Sequence, residues 1–178
     1  MADIQYNFIN LPSRIEFENG HVISYLYDAD GIKLRTTHII GSDTTVTDYC
    51  GNVIYENGIP VKLLTEAGYV TLADSKYHYF VQDHLGNNRV VVDQSGNVEE
   101  VNHYYPFGGL LSSSVSNAVQ PYKYNGKELD RKNGLDWYDY GARMYDAALG
   151  RWHAVDPMSE KYYSISSYVY GLNTPHNC

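Results

Sequence analysis

The residues best equipped for chemistry fall in two stretches of the chain. One is "YGARMYDAALGRWHAVDP", residues 140 to 157, where charges, aromatics and a glycine turn crowd together without a helical or strand period. Within it, Arg143 and Asp156 are suited to an ion pair or a turn cap, both common structural devices. Trp137 and Trp152 flank "YDYGARMYDAALG" and read as packing residues. The other stretch holds His78, Asp83, His84 and His103. A metal needs several ligands fixed on one framework, but His78 falls mid-strand, His84 falls in the turn "DHLGNN", and nothing fixes a third ligand. No metal is expected there, and His84 is expected to brace its turn. "DADG" at 28 to 31 opens like a calcium loop but lacks the later ligands and the closing Glu, so it reads as a hairpin turn. The sequence contains no nucleophile elbow, P-loop or dinucleotide fingerprint, and no cofactor is expected.

The elements around these residues are read from glycine spacing. Glycines at 20, 31, 41, 51, 58, 68, 86 and 96 recur about every ten residues, most with an Asn or Asp neighbour. That rhythm predicts an all-β meander of short antiparallel hairpins over residues 1–105. In "IKLRTTHII", alternation puts Ile32, Leu34, Thr36, His38 and Ile40 on one face. "HVISYLYD" is apolar on both faces and is expected to be covered on both. "YHYFV", "NRVVVD" and "NVEEVNHYY" continue the pattern. "FGGLLSSSVSNAVQP" is small, polar and turn-rich, which marks residues 106–120 as a connector. Residues 121–178 are expected to form a compact irregular segment, with a short helical turn at "PMSEKYY" opened by Pro157.

Composition narrows the classes of function. The 178 residues suit one domain or a piece of a larger one, with 19 Tyr against 4 Phe and 2 Trp. Aromatic burial therefore nearly always carries a hydroxyl that needs a partner, which suggests half-wet sheet faces. A formal charge of -8 with scattered basic residues disfavours nucleic acid. Cys50 and Cys178 lie far apart and define neither a zinc site nor a disulfide framework. No apolar run reaches membrane-spanning length, and the first residues do not read as an export signal.

"YLYDADGIKL" at 25 to 34 resembles one YD repeat, with a weaker echo in "DYCGNVIYENG". "YHYFVQDHLGNNRVVVDQSGNVEEVNHYYPFG" at 77 to 108, continued by "YKYNGKELD" and "LDWYDYGARMYDAALGRWHAVDP", resembles the Rhs repeat-associated core domain. The resemblance runs over roughly residues 20 to 173. It implies a container: repeats whose sheet spirals into a hollow shell, and a core segment that plugs one end ahead of a variable C-terminal effector. Tyr and Asp are then expected to stack and hydrogen-bond across strands.

The same resemblance gives Arg143 and Asp156 a sharper role, because many members of that family cut their own chain after the plug with an aspartate pair and a supporting arginine. Arg143 in "GARMYD" and Asp156 in "AVDP" match the arginine and the first aspartate; the second belongs to a later DPxG, whereas this chain reads "YGLNTPHNC". Cleavage by carboxylates needs one acid ionised and another protonated, so a lone Asp156 is expected to give no self-cleavage and no enzyme. The leading expectation is thus a structural shell or cap segment. Its partners would be the rest of the parent shell or a C-terminal effector, with self-association through exposed sheet edges. By resemblance the setting is bacterial, secreted or at the cell surface. The alternatives are an autoproteolytic processing domain cut short and a surface adhesion or glycan-binding module that uses exposed Tyr.

Overall fold

The computed structural model describes residues 2–112, 115–116 and 120–175, so Cys178 and parts of the connector lie outside the described residues. The chain divides into two compact units, the first comprising residues 1–79 with 93–96 and the second residues 80–92 with 97–178. The first unit is a meander: β1 (Ala2–Tyr6), β2 (Pro12–Phe17), β3 (Val22–Tyr27), β4 (Lys33–Ile40), β5 (Asp43–Cys50), β6 (Val53–Glu56), β7 (Ile59–Thr65), β8 (Gly68–Thr71) and the start of β9 (Lys76–Gln82). Each strand from β1 to β8 pairs antiparallel with its successor. Many of the turns fall at the glycines of the rhythm, but the β1–β2 and β8–β9 turns contain none, and Gly68 itself lies in β8.

Register lines up the buried side chains. Ile15 stands opposite Ile23, which stands opposite His38, and Tyr25 stands opposite Thr36; all five are buried. Val22, Ile23 and Tyr25 cover both faces of β3 near its start, as its sequence suggests, while Leu26 is exposed. Alternation holds in β4 only for its second half. Thr36 and His38 are buried, whereas Ile32 and Leu34, predicted on the same face, are 61% and 39% exposed. They sit at the turn end of the strand, where alternation fixes which way a residue points but does not supply a neighbour to cover it.

Several polar and aromatic side chains on these strands are matched across the ladder. Arg35 and Asp48 are directly opposed, with Nε and Oδ1 2.5 Å apart. Tyr69 and His78 are likewise opposed, and their rings stack at 4.4 Å with an 8° interplanar angle. Thr71 Oγ1 lies 2.8 Å from His78 Nε2.

The second unit takes over within β9 and holds β10 (Asn88–Asp93), β11 (Val98–Val101) and the two-residue β12 (Val115–Ser116). β11 pairs with both β10 and β12. A separate antiparallel sheet follows: β13 (Glu128–Asp130), β14 (Trp137–Asp139), β15 (Met144–Asp146) and β16 (Arg151–Trp152). Among the described residues only 3-10 turns accompany the strands, at Tyr124–Gly126, Lys132–Gly134, Ser159–Lys161 and Gly171–Asn173. The fold is all-β. Its C-terminal part is more regular than its sequence suggests, because strands of two or three residues are too short for a period to register. The helical turn expected after Pro157 is the 3-10 turn Ser159–Lys161.

Packing at β8 leaves no room for a side chain at Gly68. Its φ is +153°, and a Cβ built there would lie 2.0 Å from the backbone oxygen of His78. Gly68→Ala should therefore force β8 from β9 and lower stability by about 3 kcal/mol, read as a drop in denaturant midpoint at unchanged m-value.

Candidate functional site

Arg143 and Asp156 meet in the second unit. Arg143 ends the β14–β15 hairpin, whose closure is made by Tyr140 N–H donating to the Arg143 carbonyl at 3.1 Å. Asp156 follows β16 and is held by its own N–H donating to the Ser167 carbonyl at 2.9 Å. The side chains form an ion pair, Arg143 Nη2 to Asp156 Oδ2 at 3.1 Å. The guanidinium also lies over the Trp152 ring, 4.2 Å from its centroid, where the ring's negative face attracts the cation. Arg143 Nη1 is buried and has no hydrogen-bond partner among the described residues.

The other oxygen of Asp156 is already committed. Oδ1 accepts from Met158 N–H at 2.8 Å, an Asx turn. Most of the acids that follow an aromatic or open a turn do the same. Asp28 accepts from Asp30 and Ile32, Asp83 from Leu85 and Asn87, Asp139 from Gly141, and Asp146 from Ala148 and Leu149. These aspartates thus bond first within their own turns, while Asp48 with Arg35 and Asp146 with His153 also pair across strands. A short carboxylate two atoms from the backbone reaches the N–H two residues on more easily than it reaches another strand.

Below the ion pair lies a tyrosine core: Tyr124, Tyr138, Tyr145 and Tyr170 with Leu129, flanked by Tyr104, Phe107, Tyr140 and Trp152. Three of its hydroxyls grip three successive carbonyls of one loop. Tyr124 donates to Pro106 at 3.1 Å, Tyr145 to Phe107 at 2.7 Å, and Tyr138 to Gly108 at 2.8 Å. Two more, Tyr140 and Tyr170, converge on Asn125 Oδ1 at 2.6 and 2.8 Å. Sequence reading missed these tethers; the signal available was the tyrosine count, which says that hydroxyls need partners without saying which.

The other candidates are occupied structurally. His78 is buried against Tyr69, His84 is exposed, and His103 Nδ1 lies 3.4 Å from Arg89. The turn that His84 was expected to brace is braced by Asp83, whose Oδ2 also accepts from Asn87 Nδ2 at 2.9 Å. Among the described residues, no group of three His, Cys, Asp or Glu is arranged to hold a metal. Trp137 packs, its ring 3.5 Å from that of His153. Burial pushes the His153 imidazole below its ordinary range, against the pull of Asp146. Cys50 is a free, exposed thiol.

Burial raises the tyrosine hydroxyls of this core, Tyr104, Tyr138, Tyr140 and Tyr145, above their ordinary range. A group whose folded pKa exceeds its unfolded one stabilises the fold fully below the unfolded value and loses that contribution as pH rises. Stability should therefore fall steeply above about pH 10, where unfolded tyrosines ionise. Tyr145→Phe should flatten that alkaline loss and cost about 1–2 kcal/mol at neutral pH by orphaning the Phe107 carbonyl. Thermal melts from about pH 8 to about pH 11 check both expectations.

Comparison with known proteins places this architecture. The Teneurin YD-shell family model matches residues 63–174. Salivary gland surface protein 1 of Aedes aegypti is 31% identical over 188 residues, covering 92% of this chain and 5% of that protein. Toxin subunit YenC1 of Yersinia entomophaga is 30% identical over 128 residues, covering 62% of this chain and 13% of the subunit. The crystal structure of TcdB2-TccC3-TEV superposes over 99% of this chain and 10% of that one, with a TM-score of 0.82 at 18% identity. The chain thus spans a small fraction of the length of the relatives it matches. With the family model covering most of it and the same all-β meander beneath, the chain belongs to the Teneurin YD-shell family.

Proposed function

We propose that this chain is a wall segment of a hollow shell that belongs to a longer parent protein and encloses a C-terminal effector until release. The observation that carries the reading is a run of strands paired in chain order, with the outer edge of β1 left unpaired among the described residues. Such a sheet grows by adding strands at its edge, and a growing, twisted sheet curls. Two relatives are named as toxin subunits, which supports the same direction. Residues 1–105 would supply wall, 106–120 a connector and 121–178 the plug-like part. In the parent protein, limited proteolysis should spare the sequence that follows while the shell is intact. Digestion of that sequence as fast as a free peptide, with no hollow particle by electron microscopy, would overturn the proposal.

Within this reading Arg143 and Asp156 are half of a self-cleaving site that is silent in this chain. One carboxyl cannot be both general base and general acid, and Asp156 already spends one oxygen on its turn. Arg143 keeps one buried donor unused among the described residues, where a second carboxylate would bind. The purified chain should keep its full length at neutral pH for days by mass spectrometry. A cut that appears there and disappears in Arg143→Met would refute this; acid lysis of the Asp156–Pro157 bond would survive that substitution.

The same unpaired edge should make the isolated chain associate with itself. Light scattering should show mass rising with concentration, and a constant monomer mass over a hundredfold range would count against it.

A further inference from the structure

The second unit buries a lysine, a glutamate and an asparagine in one contact. Glu100, in β11, is 0% exposed, Asn102 is 0% exposed, and Lys123, just before the turn Tyr124–Gly126, is 3% exposed. Glu100 Oε1 receives both Lys123 Nζ at 2.5 Å and Asn102 Nδ2 at 2.5 Å, with Gln120 Nε2 at 3.0 Å. Glu100 Oε2 and Asn102 Oδ1 are buried without hydrogen-bond partners among the described residues. One carboxylate oxygen therefore touches an amine and a primary amide nitrogen at once, out of reach of bulk water.

We propose that Lys123 and Asn102 join in an intramolecular isopeptide bond, with Glu100 as the proton carrier. In this step the Lys123 ammonium, in contact with Glu100 Oε1 in a site closed to water, hands one proton to that oxygen and becomes an amine. A desolvated neutral lysine is a nucleophile. Its Nζ attacks Cγ of Asn102, the new C–N bond forms, and the Cγ–Nδ2 bond breaks. The two protons shed by the lysine nitrogen travel through Glu100 to Nδ2, which leaves as ammonium, and Glu100 returns to its carboxylate form. Glu100 Oε1 is placed for this transfer because it already contacts both the attacking and the departing nitrogen. No oxidant or cofactor is required.

The framework holds the reactants still. Asn102 N–H donates to the Arg89 carbonyl at 2.7 Å, and its Nδ2 also donates to the Asn88 carbonyl at 3.1 Å. The Asn88 N–H donates in turn to the Lys123 carbonyl at 3.1 Å, and Asn88 Nδ2 donates to the Tyr122 carbonyl at 2.8 Å. Asn88 thereby fixes both sides of the reacting pair. Holding the amine and the amide nitrogen against one carboxylate oxygen replaces a bimolecular step with an intramolecular one. A reaction that happens once per molecule also needs no turnover, so modest catalysis suffices. The bond would close a covalent loop through residues 103–122.

The test is the intact mass of the purified folded chain, measured after denaturation. The expected result is a mass below that of the sequence by one ammonia. A map made with trypsin and chymotrypsin together, which cut between the two residues at Tyr104 and Tyr122, should then show the Lys123 peptide branched onto the Asn102 peptide, uncut at Lys123. Asn102→Ala and Glu100→Gln should each restore the full sequence mass. A folded wild-type chain at full mass overturns the proposal. So does an ammonia deficit that maps to a cyclic imide at an asparagine and not to a branched peptide. Because the wild-type protein gives the decisive reading, a variant that fails to fold leaves the test intact.

Discussion

The second unit depends on a single constraint: each buried tyrosine ring brings a hydroxyl that needs a hydrogen-bond acceptor. A phenylalanine core would be indifferent to what lies at its ring edges. Here the edges of Tyr124, Tyr145 and Tyr138 lie at the carbonyls of Pro106, Phe107 and Gly108, and each hydroxyl takes one. The loop is closed by its own bonds from Gly108 N–H to Tyr105 and from Tyr105 N–H to Gly109, and the core's hydroxyls take the three carbonyls in between. The approach is close enough that a Cβ on Gly108 would come within 2.6 Å of the Tyr124 ring. The same logic brings Tyr140 and Tyr170 to Asn125, whose Nδ2 donates to the Leu85 carbonyl at 2.9 Å and whose N–H donates to Asn87 Oδ1 at 2.8 Å. One asparagine thus ties the ring cluster to the turn that follows β9.

Much of the first unit was legible because strand and turn each leave a local mark. Glycines at regular spacing mark turns, and Val, Ile, Thr and Tyr between them mark strands. What failed was anything that depended on a neighbour distant in sequence. Alternation put Ile32 and Leu34 on the buried side, but nothing local says that a strand's end is left uncovered. A histidine and an aspartate both stood in the turn "DHLGNN"; the aspartate braces it because it opens the turn, where its oxygen meets the N–H groups two and four residues on. The small sheet β13 to β16 was invisible for a related reason, since strands of two or three residues are defined by their partners and carry no period.

The repeated Tyr-Asp pair takes on a division of labour from this geometry. Tyrosine supplies a large ring for the sheet face or core and a hydroxyl for a distant carbonyl. Aspartate supplies the turn, accepting the N–H two residues on in the hairpins at Asp28, Asp139 and Asp146. The pair is thus a unit of strand end plus turn start, and this is why it can be repeated along a meander. Asp156 obeys the same rule, which is why its presence in the sequence says little about catalysis. What distinguishes it is the second oxygen, turned to an arginine whose own remaining donor is buried.

Charge burial separates that ion pair from the one at Glu100. Arg143 and Asp156 are partly open to water, with side chains 16% and 36% exposed, so their attraction is screened and their ionised forms are hydrated. Glu100 and Lys123 have no such relief, and their environment favours any process that removes the charges. Proton transfer removes them for as long as the proton stays on the acid. Bond formation to the adjacent amide removes the amine permanently and leaves a neutral peptide-like group, which a buried polar pocket lined by Asn88, Gln120 and Asn102 is equipped to hold.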